Sequence, residues 1–325
     1  MFKNTISVLG ASSSALSSMF VRGNTLPSRS WRAELTCRFV QNLFQRSLNQ
    51  PDQWLRDAQS LLAMRGPALS KVVSKSYKIA GVDCLECMPK DNAQDVLSTI
   101  VYFHGGGYVI GSAKSYQYTI AKLSAMASAR VIAVDYRLAP ECPLPAGQVD
   151  CLRVVEALLD TSTPQAHIFL AGDSAGGGLV LHTLRALKEQ GRAGAIDGAV
   201  LISPWVRPFD PETLVSENAR YDILSSAILE RWSSSFGDDH TASTRACDFA
   251  ETSFIGFPSI YVQAAGKEMF KAQVDELVKR LRADRVVTSY DVFPDMFHVF
   301  QTLAPLVPEA DRALALIAKK LGQLA

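Results

Sequence analysis

No stretch of the 325-residue sequence approaches the run of about 20 apolar residues that a membrane-spanning helix needs. Neither sign of charge dominates: 33 Lys and Arg stand against 32 Asp and Glu, a net charge of +1. That balance excludes the strong basic field on which nucleic-acid or anionic-lipid binding relies, so neither is expected as a partner. Cysteines are few and scattered: Cys37, Cys84, Cys87, Cys142, Cys151 and Cys247. Cys84 and Cys87 form a lone C-x-x-C inside the strand-like run Asp83 to Met88, where positions three apart face opposite sides. No second pair or histidine cluster completes a zinc site, so no metal and no redox role is expected. Reduced, structural thiols fit a cytoplasmic location. Lys3 followed by Ile6 to Ala11 faintly resembles a signal peptide, but serines break up the stretch to Ser18. Those first 20 or so residues are therefore read as part of the folded protein. Internal repeats and low-complexity linkers are lacking too.

What is present is an ordinary globular composition, 48% hydrophobic and 20% charged, in a chain long enough to bury a large core. Strand and helix signals alternate from Thr99 onward. Strands are predicted at 99–103, 130–136, 167–171, 199–202, 259–264 and 286–292. Helices are predicted at 115–129, 148–160, 179–190, 268–281 and 308–324. Such alternation specifies an α/β fold with a mostly parallel sheet covered by helices on both faces. Ahead of it, 72–79 and 83–88 read as two strands around Ala80-Gly81, a hairpin-like edge, and 91–94 as a polar turn.

Two regions stand outside this pattern. In residues 1–65, Trp31, Leu35, Phe39, Leu43, Phe44 and Leu48 recur at helical spacing, and 53–64 reads as a second helix. These are either amphipathic helices packed on a core or part of a lid. Residues 205–257 interrupt the alternation with prolines, a helix at 225–235 and the polar Gly237-Asp238-Asp239-His240. Lying between two core strands, this segment is expected to rise over the carboxyl ends of the strands, where ligands bind in such folds. The core is thus expected in two parts, 66–204 and 258–325.

Chemistry concentrates at Gly172-Asp173-Ser174-Ala175-Gly176, a G-x-S-x-G between the strand ending at Ala171 and a helix. In a nucleophile elbow the serine occupies a strained turn with its hydroxyl exposed, and its neighbours must be small. Acyl transfer through serine also needs a base, a group orienting that base, and donors for the oxyanion. The base candidate is His298, directly after the last predicted strand. His167 and His182 fall within a strand and a helix, and His240 in a polar stretch. The acid candidate is Glu268, just beyond a strand end. Asp275 and Glu276 lie inside the following helix, and Asp295 belongs to the histidine's own loop. Oxyanion donors are expected from His104-Gly105-Gly106-Gly107-Tyr108, where consecutive glycines let N–H groups converge, together with the N–H of Ala175.

These motifs resemble the hormone-sensitive-lipase-like carboxylesterases of the α/β-hydrolase superfamily. The resemblance rests on His104 to Gly107, Asp135-Tyr136-Arg137-Leu138-Ala139-Pro140-Glu141 with Pro143 and Pro145-Ala146, Gly172 to Gly177, Ser203-Pro204-Trp205, and His298 with Phe300. It covers roughly residues 99 to 300 and implies an α/β-hydrolase fold with a mainly helical cap formed by 1–65 and 205–257. It further implies Ser174 as nucleophile, His298 as base, and Gly106, Gly107 and Ala175 as oxyanion donors, with Gly105 a further candidate. The family usually carries aspartate where Glu268 stands. Arg137 and Glu141 are expected to pair, and His104 to be structural. The implied activity is hydrolysis of carboxylic esters of short to medium acyl chains, without a cofactor. Amide, formamide or acetyl-group hydrolysis by the same apparatus, and a non-catalytic small-molecule receptor, are the alternatives. A homodimer through an edge strand is a further expectation.

Overall fold

Residues His167–Asp173 (β5) form the strand from which the architecture grows. Ile168 to Asp173 are buried on both faces, as an uninterrupted apolar run in a parallel sheet requires. In the computed structural model, residues 26–91, 96–237 and 248–324 are described. Eight strands form one sheet in the order β1-β2-β4-β3-β5-β6-β7-β8, with β1 Val72–Ile79, β2 Val82–Pro89, β3 Ser98–Phe103, β4 Arg130–Val134, β6 Gly198–Ile202, β7 Ile260–Ala265 and β8 Thr288–Phe293. The pairs from β4 through β8 are parallel, whereas β1 and β2 are antiparallel additions at one edge. Ala80 (φ 47°) and Gly81 (φ 86°) make the two-residue turn between them. Left-handed conformations at both positions match the twist of a tight hairpin. Cys84 and Cys87 are both buried, pointing to opposite sides of β2.

Helices α1 (Trp31–Ser47) and α2 (Asp52–Leu61) precede the sheet; α3 (Gln117–Ala127), α4 (Ala146–Thr161) and α5 (Ala175–Glu189) follow its early strands. Residues 205–257 contribute the short α6 (Pro211–Leu214) and α7 (Ser226–Ser234). Helix α8 (Lys271–Ala283) packs against β7 and β8, and α9 (Pro308–Leu324) against α3. The described residues thus bear out the α/β reading and most predicted elements. Among them, no helix is long and apolar enough to cross a membrane. The signal-like stretch at 3–18, residues 92–94 of the polar turn, His240 and Cys247 lie outside the described residues.

Two boundaries and one helix face differ from the plain reading for physical reasons. Helix α5 begins at Ala175 rather than near 179, because the glycines after Ser174 are needed small, not flexible. Helix α8 begins at Lys271, which leaves Glu268 in the turn ahead of it. In α1 the inward face is offset from the apolar stripe. Trp31 is 60% exposed, while Ala33, Glu34, Cys37 and Arg38 are buried. Burying those charges is tolerable because Glu34 pairs with Arg29 (3.1 Å) and Arg38 (2.6 Å). Phe39, Val40, Leu43 and Phe44 line a cavity instead of packing wholly into the core.

Candidate active site

The turn from β5 into α5 is as sharp as the motif demands. Ser174 has φ 52° and ψ −121°, a strained conformation for a residue with a Cβ. Its N–H donates to Ile202 O (2.9 Å), and its carbonyl accepts from Trp205 N (2.9 Å), so β6 and its following loop hold the turn on both sides. At Gly176 a Cβ would lie 2.0 Å from Phe103 O, so only glycine lets the helix start approach the end of β3.

His298 lies on the loop after β8 and Glu268 in the turn after β7, so both arrive at the carboxyl edge beside Ser174. His298 Nε2 is 2.8 Å from Ser174 Oγ, and His298 Nδ1 is 2.8 Å from Glu268 Oε2. The second carboxylate oxygen, Oε1, accepts from Ala265 N (2.9 Å). An acceptor-only carboxylate at Nδ1 fixes that nitrogen as the donor and leaves the Nε2 lone pair for the serine hydroxyl. Phe270 meets the imidazole edge-on at 4.7 Å and limits its rotation. Exposure is 6% for Ser174, 2% for His298 and 0% for Glu268, so the chain of bonds is shielded from water. The competing carboxylates are engaged elsewhere: Asp275 with Lys271 and Tyr290, and Asp295 with Ser28.

Behind the serine, Asp173 organises the glycine loop. Its carboxylate accepts from Tyr102 Oη (2.8 Å), Tyr116 Oη (2.9 Å) and Gly105 N (3.0 Å). Burial pushes its pKa up to about 6 against the opposing pull of those donors. Since the Gly105 N–H is tied to Asp173, it is turned away from oxyanion duty, which removes Gly105 from the donor candidates. Gly106 (φ 115°) has its Cβ position 2.2 Å from Ile110 O, and Gly107 packs under the Trp232 ring. The N–H groups of Gly106, Gly107 and Ala175 enter none of the backbone bonds among the described residues. His104 is buried, with Nδ1 2.7 Å from Gly105 O and its ring stacked on Tyr136 at 4.3 Å. Burial lowers its pKa, which keeps the ring neutral. Its place is in the scaffold.

The expected Arg137–Glu141 pair does not form. Arg137 is bidentate to Asp150 (2.8 Å to each oxygen), which α4 presents within reach, while Glu141 pairs with Arg56 of α2 (2.8 Å). His167 bonds Asp197, and His182 lies half-buried on α5, where desolvation lowers its pKa to about 4.

Sequence reasoning missed Asp222. Fully buried between Tyr221 and α7, it accepts from His298 N (2.8 Å) and Met269 N (2.7 Å). Because its partners are backbone N–H groups, no residue pairing in the sequence signals it.

Ser174 and His298 open into a cavity of ≈ 180 Å³. Its walls are largely apolar and come from 36–64 (Phe39, Leu43, Phe44, Leu62), from 205–257 (Ile223, Leu224, Trp232) and from the loops after β3 and β8. An apolar chamber beside an activated hydroxyl and free N–H groups suits an acyl group with a carbonyl at its inner end.

Comparison with known proteins agrees with this geometry. A family model for the alpha/beta hydrolase fold matches residues 100–302. An acetyl-hydrolase of Streptomyces hygroscopicus is 32% identical over 218 residues, covering 66% of this chain and 72% of its own. An esterase of Acinetobacter venetianus is 27% identical over 293 residues, covering 86% and 94%. Among solved structures, an esterase from the bacterial hormone-sensitive lipase family superposes with TM-score 0.80 at 26% identity, covering 92% of this chain and 99% of that one. A hormone-sensitive lipase from a metagenome library gives TM-score 0.78 at 28% identity, with 89% and 98% covered. The chain belongs to the α/β-hydrolase family, and its likenesses within that family are to esterases of the hormone-sensitive-lipase group.

Proposed function

We propose that the protein hydrolyses carboxylic esters through an acyl-enzyme on Ser174. The observation that carries this reading is the buried chain Ser174–His298–Glu268, with 2.8 Å at each link. Ser174 Oγ attacks the acyl carbon while His298 Nε2 takes its proton, and Glu268 holds the imidazole in the tautomer that permits this. The carbonyl oxygen gains charge and is received by the N–H groups of Gly106, Gly107 and Ala175, each such donor being worth about 2.7–4 kcal/mol in the transition state. His298 returns the proton to the alkoxy leaving group. Water then attacks the acyl-enzyme with His298 again as base, releasing the acid and restoring the serine. An apolar cavity of ≈ 180 Å³ favours short to medium acyl chains.

Helices α1 and α2 and residues 205–257 together serve as the cap, a role supported by the cavity walls they supply. Five cysteines among the described residues carry free thiols, which fits a cytoplasmic setting. A homodimer would use an outer strand, β1 or β8.

The test is hydrolysis of p-nitrophenyl esters of increasing acyl length. Wild type turns over the shorter members, and Ser174→Ala loses activity by about 10⁶-fold. Equal rates for the two proteins would sink the reading, and turnover of anilides in preference to esters would redirect it to amide hydrolysis.

A further inference from the structure

Asp222 takes no part in the proton relay, yet it sits against both of the relay's distal members. It belongs to the segment between Arg220 and α7, outside the sheet. Its carboxylate is fully buried, and both oxygens accept backbone N–H groups. Oδ1 accepts from His298 (2.8 Å) and Ile223 (2.8 Å), and Oδ2 from Met269 (2.7 Å). The N–H groups of His298 and Met269 lie on two separate loops, after β8 and after β7. A carboxylate is acceptor-only with about four lone-pair sites, so it serves three donors without conflict. Bonds of this charge-assisted kind run roughly twice as strong as neutral ones, which offsets part of the cost of burying the anion.

The backbone around Asp222 is in turn gripped by the N-terminal region. Gln41 Nε2 donates to Asp222 O, and Tyr221 O accepts from Arg29 (3.0 Å) and from Cys37 Sγ (3.4 Å). Arg29 also donates to Asp295 O (2.7 Å) and lies over the Phe297 ring at 5.2 Å, one residue before His298.

We propose that Asp222 is a positioning residue for hydrolysis: from the cap it clamps together the loops bearing Glu268 and His298, so the relay is aligned only while residues 220–224 are seated. This inference rests on the ester-hydrolase reading. It also carries a pH signature. Burial pushes the Asp222 pKa up to about 6, opposed by the charge of His298 and the N–H bonds. The titratable and charged groups around it are His298, Glu268 and Cys37, with Arg29 and Glu34 beyond the thiol. Once protonated, one oxygen presents an O–H to an N–H. The clamp is therefore complete above about pH 6 and is lost below it.

Asp222→Asn tests this, since its amide must turn an NH₂ toward one of the N–H donors. Two readouts apply: kcat and KM for p-nitrophenyl acetate, and the rate at which a fluorophosphonate probe labels Ser174. The expected result near pH 8 is a loss of about 10- to 100-fold in kcat and in labelling rate, with KM within about threefold of wild type. The deficit shrinks toward pH 5, where wild type has lost the anion. A folded Asp222→Asn with wild-type kcat, or a deficit equal at all pH values, overturns the proposal. Should Asp222→Asn fail to fold, Gln41→Ala keeps the carboxylate but loosens its backbone. A fall of about threefold in kcat at constant KM is then expected, and an unchanged kcat overturns the clamp. A wild type that neither labels nor turns over would sink the hydrolase reading and the clamp with it. A wild type that does both beside an equally fast Asp222→Asn sinks the clamp alone.

Discussion

Glu268 stands where resemblance to related esterases leads one to expect aspartate, and both of its carboxylate oxygens are engaged. One orients His298, and the other is held by Ala265 N, so the longer side chain reaches back over its own turn instead of displacing the histidine. Glu268→Gln must point its NH₂ at either His298 Nδ1–H or Ala265 N–H, both donors, and so favours the wrong tautomer or a tilted ring. The expected outcome is a fall in kcat of about 10³- to 10⁴-fold with Ser174 still in place, read from steady-state hydrolysis. Glu268→Asp keeps the charge but cannot span both partners; a loss nearer to about 10²-fold is expected in the same assay. The relay itself was legible in the sequence, because a base and an acid that each follow a strand end must meet at one sheet edge. Asp222 was not legible: it recognises peptide N–H groups, which every residue but proline carries. Arg137 misled for a related reason, since closeness in sequence to Glu141 counted for less than the rigid presentation of Asp150 on α4.

Among the elements, the glycine loop between β3 and α3 is the most tightly constrained by its neighbours. Asp173 pins Gly105, Ile110 O closes over Gly106, and Trp232 of α7 lies on Gly107. Gly106→Ala would place a Cβ 2.2 Å from a backbone oxygen at a φ of 115°, so the loop must shift and carry an oxyanion donor with it. We expect kcat to fall by about 10²- to 10³-fold and fluorophosphonate labelling to slow with it, while circular dichroism confirms an intact fold. That these glycines form a cradle was readable from their place after a core strand. Why Gly105 is the weaker candidate was not, because its N–H is held by a carboxylate 68 residues away in the chain. The apolar periodicity of α1 predicted the helix correctly but left open what its apolar stripe meets. A stripe of Phe and Leu reads the same whether it meets a core or a substrate cavity.

Across the whole molecule, α2 is fastened to the loops after β3 and β4 by Arg56, which donates to Val109 O (2.8 Å), Ala139 O (2.9 Å) and both oxygens of Glu141. The Glu141 carboxylate is largely exposed, and ion pairs in that setting contribute little, whereas the two carbonyls lose their partner if the guanidinium goes. Urea unfolding is therefore expected to register about 1–2 kcal/mol for Arg56→Ala and less than about 1 kcal/mol for Glu141→Ala. Similar losses for both variants would mean that the ion pair carries the attachment. The seating of α1 has another consequence, for synthesis. Ser28, Arg29, Ser30 and Arg32 bond to Asp295, Glu309 and Pro305, up to 279 residues farther along the chain. On the ribosome these residues emerge long before anything they hold exists, and Phe39, Leu43 and Phe44 stay uncovered through most of translation. Such a region waits for nearly the whole chain, at the usual 5–20 residues per second for tens of seconds, and is a natural client for a chaperone that binds nascent apolar helices.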